Sequence, residues 1–530
     1  MLADIRLRNG LVYDGSGAVP YRADMYIVGD SIYEINRNDG SSHSRDRLDA
    51  VSAVDCEGFA ICPGFIDIHT HSDFALLSNG QMTSSIMQGV TTEVVGNCGV
   101  SMGLITDDPV FRHERVRTDA ACIPVSWSRL SEWFDRVEDV GIACNIASLV
   151  GHGTVRKRVI GLANRRADAA ELYRMQCMLA GALSDGAIGI STGLEYLPGA
   201  YADTAEQVSL VELLRGRSGF YATHVRNEGD SLVESIAEAI DVAERATVPL
   251  QLSHHKAEGA KNWGKVAATL AMMDSARARG LDVLTDLYPY EAFMTSLTTI
   301  LLPAWANQGS SSDIARRLND RATRAQIIHE INSHDVHWDT LRIGTARNQR
   351  SAQGMSISGL ADQANKTPVD AALDLIVSED CSVSALSYAM SPYDIEQLLR
   401  DRHTMIGSDG VAQTLNGLLS SDHTHPRTFG TFARIFNEYV RDRKLISFEE
   451  AVRRMTSLPA TRMGLKDRGR LLAGMKADIT IVDASRFADT ATYVAPRQIP
   501  FGLRTVIVNG RISVNNGEQT DELAGRVLRY

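Results

Sequence analysis

The chain lacks several features that would mark whole classes of protein. Its 530 residues contain no apolar run of about 18 residues, the length a membrane-spanning helix needs. The amino terminus, MLADIRLRNG, lacks the apolar stretch of a signal peptide. We therefore expect neither a membrane span nor a secretory signal, and we predict a cytoplasmic protein.

Cysteine and clustered positive charge are also scarce. The seven cysteines are odd in number and have no repeated spacing, which argues against a disulfide framework. The net charge is -11, and the 54 lysines and arginines form no basic cluster. Such a chain offers no basic surface for binding a polyanion, so we expect no nucleic-acid partner. Composition leaves the oligomeric state open.

The two ends of the chain have the same sequence pattern. Residues 1–61 and 466–530 contain short apolar segments such as ADMYIVGDSIYEI and RTVIVNGRISVNNG, with glycine and asparagine at the turns. Alternating segments of this kind are typical of β-strands joined by hairpins. We predict a small β-sandwich domain built from both ends of the chain.

Residues 62–465 follow a different pattern, in which short apolar runs alternate with longer stretches of helical periodicity. Eight such runs predict an α/β fold, a parallel (β/α)8 TIM-like barrel. Active sites in that fold lie at the carboxyl ends of the strands. The runs end near His69, Cys98, His152, Ser191, His224, His254, Tyr288 and Asp409.

The connection between the seventh and eighth runs, at about 291–400, is too long for an ordinary loop. It contains helical segments such as DIARRLNDRATRAQIIHEI, and we interpret it as an insertion over the barrel mouth, a candidate lid. After the eighth run, Ser447 and Glu450 form an S-x-x-E capping box. It predicts that the last barrel helix begins there and continues to residue 465.

Histidines at the strand ends suggest a metal site. His69 and His71 are two residues apart, so both point to the same side of the first strand. Such a pair alone is as often two ordinary polar histidines as a chelate. The same mouth also receives His224, His254 and Asp409, and imidazole, thiolate and carboxylate are the ligands that zinc prefers.

Two positions need a further choice. Cys98 follows the second run, and we interpret it as a thiolate ligand, whereas Cys122, Cys144 and the other cysteines are expected to be small buried apolar residues. In the sequence SHH, neighbouring side chains face opposite ways, so only one of His254 and His255 points into the barrel mouth. Periodicity does not decide which.

Six motifs together resemble one known family. PGFIDIHTHSD, GVTTEVVGNCG, ATHVRNEGD, LSHHKAEG, IGSDG and HPRTFGTFAR are similar to motifs of the amidohydrolase superfamily, and within it of the N-acyl-D-amino-acid deacylases, also called D-aminoacylases. The resemblance spans nearly the whole chain. Dihydroorotases and hydantoinases use a carbamylated lysine on the fourth strand, but that strand here, GAIGISTGL, has no lysine.

The resemblance implies a set of metal ligands and a catalytic group. Zinc would be held tightly by Cys98, His224 and His254, and a second, weaker metal position would lie on His69 and His71. Asp409 would be the catalytic carboxylate.

Two further polar residues have less specific roles. Asp67 shares a strand face with the two histidines of IDIHTH, and it either orients one of them or is an inert layer residue. His152, in LVGHG, resembles a family position at the pocket rim, where we favour a structural role.

An N-acyl amino acid also has a carboxylate to be bound. The resemblance gives this role to Arg427, Lys256, Tyr196 and Tyr288. Arginine grips a carboxylate with two parallel hydrogen bonds, whereas lysine offers a point charge. The segment between Asp409 and Arg427 is longer than the family usual, which leaves the position of the arginine to be tested.

Together these features predict zinc-dependent hydrolysis of the amide bond of N-acyl-D-amino acids. Activated water would attack the amide, giving a carboxylate and a free D-amino acid. One alternative is a cyclic-amide hydrolase of the hydantoinase or dihydroorotase type. Another is a catalytically silent barrel that serves as a scaffold. The D preference comes from the resemblance alone, since spacing does not report the hand of a substrate.

Overall fold

A computed structural model describes residues 2–38, 48–111, 123–334 and 336–530. Cys122 lies outside these ranges. No helix within them is both long and apolar enough to cross a membrane.

The strands are short, as expected where many turns interrupt the chain. Numbered in chain order, they are β1 Ala3–Val12, β2 Tyr21–Val28, β3 Ser31–Arg37, β4 Ala50–Asp55, β5 Ala60–Pro63, β6 Phe65–Asp67, β7 Val90–Val95, β8 Asn145–Ser148, β9 Val150–Gly151, β10 Gly189–Gly193, β11 Phe220–His224, β12 Leu250–Leu252, β13 Val283–Leu287, β14 Ala292–Ser296, β15 Arg342–Ile343, β16 Ser384–Tyr388, β17 Thr404–Ile406, β18 Ile479–Val482, β19 Leu503–Val508, β20 Arg511–Asn515 and β21 Glu518–Gln519.

Several helices begin at a capping side chain; Asp168, for example, accepts a hydrogen bond from the backbone nitrogen of Glu171 at 2.8 Å. A π-helical segment at Ile435–Asp442 continues one of them. The α-helices are Ala75–Ser78, Thr83–Ile86, Leu130–Val140, His152–Ile160, Ala169–Ser184, Thr204–Val211, Leu232–Ala246, Lys265–Ala278, Leu297–Leu301, Ser311–Asn319, Arg321–Ile331, Ile357–Ala364, Pro368–Ser378, Pro392–Arg400, Arg427–Arg434, Phe448–Met455 and Ser457–Met463.

Both ends of the chain contribute to one nine-stranded sheet. Its order is β21-β20-β19-β18-β5-β1-β2-β3, with β4 paired to β1. Ile5, Met25 and Ile479 belong to a buried apolar cluster on this sheet, which joins the two ends of the chain. Ile32 also donates to the carbonyl of Met475 at 2.7 Å, so β3 contacts the segment before β18. The two ends of the chain are therefore joined by one sheet.

All eight predicted runs form strands, and these strands pair in parallel. β6, β7 and β8 make one sheet, and β9 to β13 with β17 make another in the order β17-β13-β12-β11-β10-β9. Only Leu149 separates β8 from β9, and a parallel bridge joins Thr70 to Gly410 beyond β6 and β17. The eight strands therefore follow one another in a closed cycle, and their carboxyl ends share one mouth.

The insertion predicted at about 291–400 is a separate layer of structure. β14, β16 and β15 form a small antiparallel sheet, covered by helices. Ile314, Ile327 and Leu373 belong to a buried apolar cluster that is distinct from the barrel core. The predicted helical segment at 313–331 forms two helices that meet at Asp320.

The last barrel helix differs from its prediction. Ser447 caps its start, accepting a hydrogen bond from the backbone nitrogen of Glu450 at 3.2 Å. The helix then breaks at Thr456, whose φ and ψ are -134° and -82°, and a second helix follows. Pro459 has no N–H to offer the preceding turn, which favours a new first turn at this point. The expected single helix to residue 465 is thus wrong.

Candidate metal centre and active site

Three polar residues at the mouth have a backbone conformation that side chains rarely adopt. Cys98, His254 and Asp409 have φ values of 51°, 33° and 48°. Left-handed backbone at residues other than glycine costs on the order of 1 to 3 kcal/mol and gathers at functional sites. The positive φ values therefore indicate that these three positions belong to a functional site.

The turn that carries Cys98 is held by β10, the strand of the fourth predicted run. Ser191 Oγ accepts a hydrogen bond from the Gly99 nitrogen at 3.1 Å and donates one to the Gly96 carbonyl. Gly96 has a φ of 77°, and a Cβ there would lie 2.2 Å from the Leu149 carbonyl oxygen. Ser191 on β10 thus supports the turn that carries Cys98.

Cys98, His224 and His254 converge at the centre of the mouth. Cys98 Sγ lies 3.4 Å from His254 Nε2 and 4.0 Å from His224 Nδ1, and the two nitrogens are 2.9 Å apart. Ligands of one tetrahedral zinc are separated by about 3.3 to 3.6 Å. All three residues are buried. The donor atoms therefore lie close to coordination spacing.

His69 and His71 lie beside this cluster. With Cys98 they form a second group whose ligand atoms all lie within 4.8 Å of one another. His69 Nε2 is 3.4 Å from Cys98 Sγ, and His71 Nε2 is 3.1 Å from Asp409 Oδ1. Every sequence-predicted metal ligand therefore lies in one contiguous cluster.

Each buried histidine of the cluster has a carboxylate at its other ring nitrogen. A carboxylate that accepts a hydrogen bond from one ring N–H fixes the tautomer that leaves the other nitrogen's lone pair free for a metal. The contacts are Glu195 Oε2 with His224 Nε2 at 2.7 Å, Glu228 Oε1 with His254 Nδ1 at 3.1 Å, and Asp286 Oδ1 with His69 Nδ1 at 3.3 Å. The contact between Asp286 and His69 is close, but it is not aligned as a hydrogen bond.

Sequence reasoning missed these three acids, although each stands in or beside a motif it used. Glu195 precedes Tyr196 in GLEYLPG, Glu228 lies in HVRNEGD, and Asp286 is on β13. An acid near the carboxyl end of a strand was the available signal. The pattern could not tell which acid faces which ring.

The structure also decides between the two adjacent histidines. His255 Nε2 lies 2.8 Å from Thr269 Oγ1, away from the metal ligands. His254 faces the cluster, and the Asp286 carboxylate accepts from its backbone nitrogen at 2.7 Å. Burial, followed by the nearby Lys256 ammonium, lowers the pKa of His254 to about 3. A histidine that stays neutral at pH 7 has a lone pair for a metal.

Asp409 lies against the metal ligands and is paired with an arginine. Arg427 Nη1 is 2.7 Å from Asp409 Oδ2, but it is not aligned for a hydrogen bond and has no other partner among the described residues. Burial alone raises the pKa of Asp409, but the Arg427 charge and the neighbouring histidines hold it well below its usual value. The long segment between these two residues therefore still brings the arginine to the site.

The other predicted substrate-binding groups surround the same space. Lys256 Nζ lies 2.7 Å from both carboxylate oxygens of Glu228, and 5.7 Å from the centre of the Tyr288 ring. The Tyr288 hydroxyl is buried without a hydrogen-bond partner in the described part of the chain. The Tyr196 ring lies 4.7 Å from the ring of His224. These groups line one cavity of about 320 Å³, with Asp409 and residues of the insertion.

The structure decides one of the two remaining sequence interpretations and agrees with the other. Asp67 does not orient a histidine ring, because its carboxylate accepts hydrogen bonds from the backbone nitrogens of Ser408 at 2.9 Å and of His69 at 3.2 Å. It ties the first strand to the eighth instead. His152 is buried against Glu206 at 2.8 Å, which fits the structural role favoured for it.

The donor set fits zinc. One thiol and two imidazoles form a closed group with two more imidazoles and a carboxylate beside it. Burial raises the pKa of the Cys98 thiol well above its usual value, and a bound divalent cation deprotonates such a thiol. The three supporting carboxylates complete an arrangement characteristic of a metal centre.

Comparison with known proteins agrees with this geometry. The model of the Amidohydro_3 amidohydrolase family matches residues 52–514. The chain belongs to this amidohydrolase family. It is 33% identical to an N-acyl-D-glutamate deacylase of Alcaligenes xylosoxydans xylosoxydans, over 99% of this chain and 96% of that protein.

Solved amidohydrolase structures cover the whole chain. An N-acyl-D-glutamate deacylase from Bordetella bronchiseptica, complexed with zinc and a phosphonate inhibitor that mimics the tetrahedral reaction intermediate, has a TM-score of 0.84 at 30% identity. A D-aminoacylase structure that addresses a binuclear metal centre has a TM-score of 0.82 at 32% identity. Coverage is 100% of both chains in each case. A TIM-like barrel with an additional domain is the fold of this amidohydrolase.

A D-hydantoinase structure is much more distant. It has a TM-score of 0.55 at 14% identity, covering 99% of this chain and 100% of that one. At that distance the likeness shows the shared amidohydrolase fold alone. It therefore gives the cyclic-amide alternative little support.

Proposed function

We propose that the chain is a zinc-dependent enzyme that hydrolyses N-acyl-D-amino acids to a carboxylate and a free D-amino acid. The observation that carries this proposal is the cluster of Cys98, His224 and His254 next to Asp409. The names of the similar proteins, deacylases of N-acyl-D-amino acids, support the substrate class and the D configuration.

Zinc is the metal we assign. Cys98, His224 and His254 would hold one ion tightly, and His69 with His71 would offer a second, weaker position. Bound zinc supplies a Lewis acid for the amide carbonyl and lowers the pKa of water to about 7. The chain's own residues then have to bind the substrate and move protons.

Asp409 is the group that moves the proton. Its pKa is held low, so it is a carboxylate at neutral pH and can accept a proton from the attacking water. It then donates that proton to the leaving nitrogen as the C–N bond breaks, so the amino acid leaves as an amine. His71 Nε2, at 3.1 Å from Asp409 Oδ1, and Arg427 keep the carboxylate in place.

The substrate carboxylate binds beside Asp409, at Arg427 and Tyr288. Arg427 Nη1 and the Tyr288 hydroxyl are both buried without a hydrogen-bond partner among the residues described. Unpaired buried donors are costly, and a bound carboxylate would satisfy both. Lys256 adds positive charge, and Tyr196 adds a directed hydroxyl. These four residues give the substrate its orientation.

Replacing Arg427 by lysine should raise KM by about 10- to 100-fold, because one ammonium cannot reproduce the two-point grip of a guanidinium on a carboxylate. Steady-state kinetics on an N-acetyl-D-amino acid would measure it. Arg174→Lys, at an exposed helical position, is the matched control and should change KM little. An unchanged KM in Arg427→Lys would remove Arg427 from substrate binding.

The function itself is tested with paired enantiomers. The purified zinc-loaded protein is assayed on N-acetyl derivatives of D- and L-amino acids with acidic, aliphatic and aromatic side chains. Release of free D-amino acids is the expected result. Equal rates on both enantiomers would defeat the D assignment. A protein without stoichiometric zinc and without turnover would favour the silent scaffold.

For the architecture, we propose three units. A (β/α)8 barrel spans about 62–465, with the insertion at about 291–400 over its mouth, and residues 1–61 and 466–530 form a β-sandwich. The single sheet shared by both chain ends and the separate apolar cluster of the insertion support this division. A cytoplasmic protein without nucleic-acid or membrane partners remains our expectation.

A further inference from the structure

Among the chain's own side chains, acids outnumber cations in the cavity that holds the predicted substrate-binding groups. Five carboxylates line it, together with two ammonium groups. The five acids are Glu195, Glu228, Asp230, Glu258 and Asp409, and the two cations are Lys256 and Lys261.

Each lysine that lines the cavity already has a carboxylate partner. Lys256 contacts both oxygens of Glu228 at 2.7 Å, and Lys261 Nζ lies 2.8 Å from Asp230 Oδ2. Arg427 lies beside Asp409 and is assigned to the substrate's own carboxylate. An acidic substrate side chain, in addition to the substrate's own carboxylate, would therefore meet no uncommitted positive charge in the cavity.

Glu258 is the acid without a counter-charge. In the described part of the chain its carboxylate has no hydrogen bond or ion pair, and it is only partly exposed. Burial, together with the charges of Glu195 and Glu228, raises the pKa of Glu258 to about 8. Its backbone nitrogen donates to the Glu228 carbonyl at 2.8 Å, which fixes it on the cavity wall. The acid therefore lacks a positive partner and is largely protonated at neutral pH; a cation bound beside it would favour its carboxylate form.

The wall of the same cavity is partly apolar. Tyr196 comes from the barrel, and Phe293, Met294 and Ile300 come from the insertion. Apolar surface of this kind suits the methylene stem of a long side chain, while the charged end reaches a polar group. Glu258 lies on the same cavity and provides that polar group, with Glu195, which is hydrogen-bonded to His224, beside it.

We propose that the enzyme prefers N-acyl-D-amino acids whose side chain is an aliphatic stem ending in a cation, an amino or guanidino group, bound by Glu258 with Glu195 beside it. The inference rests on the proposed deacylase function and deepens it. It makes Glu258 a determinant of specificity and gives it no part in the chemical step.

Three substrates test the preference directly. Nα-acetyl-D-lysine, N-acetyl-D-norleucine and N-acetyl-D-glutamate are compared with the zinc-loaded protein. The first two share a four-carbon stem and differ by the terminal amino group. The expected order of kcat/KM is lysine, then norleucine, then glutamate. A higher kcat/KM for glutamate or norleucine than for lysine would overturn the inference.

A charge-neutral variant tests the residue. Glu258→Gln should lower the ratio of kcat/KM for the lysine and norleucine substrates by about tenfold or more, the effect of removing one partner of a partly buried charge pair. Asp230→Asn is the matched control, because Lys261 already neutralises that acid at the rim; its ratio should change much less. Equal effects in both variants would contradict the assignment to Glu258.

The two levels of the proposal fail differently. Turnover of the norleucine or glutamate substrate with poor turnover of the lysine substrate overturns the cationic preference and keeps the deacylase function. No turnover of any of the three D substrates, with zinc bound, overturns the deacylase function together with this inference.

Discussion

Replacing Asp409 by asparagine should lower kcat by about 10²- to 10⁴-fold, the usual contribution of a positioned acid-base group, while zinc stays bound. Asparagine keeps the size of the side chain and tolerates the left-handed backbone found at this position. It removes the proton-accepting oxygen. The residues proposed to hold zinc tightly, Cys98, His224 and His254, are untouched by the change.

Steady-state kinetics and metal analysis of the same preparation measure this effect. Asp422→Asn is a suitable control, since Asp422 lies in the segment between Asp409 and Arg427 and is outside the metal cluster. The control should keep its rate. An Asp409→Asn enzyme that hydrolyses substrate at a near-normal rate with zinc bound would exclude Asp409 as the proton carrier.

Replacing Cys98 by serine should cost the protein its tightly held zinc, and most of its activity with it. Thiolate is a far better zinc ligand than a neutral hydroxyl, and even changes to the groups that only support zinc ligands cost about 10- to 100-fold in affinity. We therefore expect at least a hundredfold loss of zinc affinity. Competition with a chelator, followed by metal analysis, gives the number.

The matched control is Cys177→Ser, because Cys177 is free and exposed. That variant should hold zinc as the unmodified protein does. Should Cys98→Ser retain stoichiometric zinc against the chelator, the cysteine would be a buried apolar residue, the alternative that sequence reasoning weighed for it.

The candidate metal ligands could be located from the sequence because the carboxyl ends of the strands could be located. Apolar runs such as GFIDIHTH and GFYATHV mark buried parallel strands, and a closed parallel cycle brings all their carboxyl ends to one mouth. His69, Cys98, His224, Asp409 and one of the adjacent His254 and His255 follow from that rule without any knowledge of loop conformation. The family resemblance then implied which of these residues would hold zinc tightly.

The partners of those ligands were less accessible. Glu195 and Glu228 lie on loops after β10 and β11, and a loop's course decides which ring nitrogen each acid reaches. Asp67 is a second case in which the pattern did not give the contact. The alternation of strand faces suggested that it contacts a histidine ring, but its carboxylate accepts hydrogen bonds from backbone nitrogens. Periodicity reports faces, and contacts across a mouth depend on three-dimensional closure.

The break at Thr456 was missed for a local reason. The capping box at Ser447 correctly places the start of the helix, but the effect of Pro459 on the preceding turn competes with the helical periodicity of the whole segment. The charge balance of the cavity is similarly a property of the folded chain, since Glu258 and Glu195 are 63 residues apart in sequence.

Crystallography of the zinc-loaded protein, with anomalous diffraction recorded at the zinc absorption edge, tests the central assignment most directly. The account predicts an anomalous peak about 2.3 Å from Cys98 Sγ and about 2.0 to 2.1 Å from His224 Nδ1 and His254 Nε2. A zinc peak held by other residues, or no zinc peak between these three side chains, would contradict it.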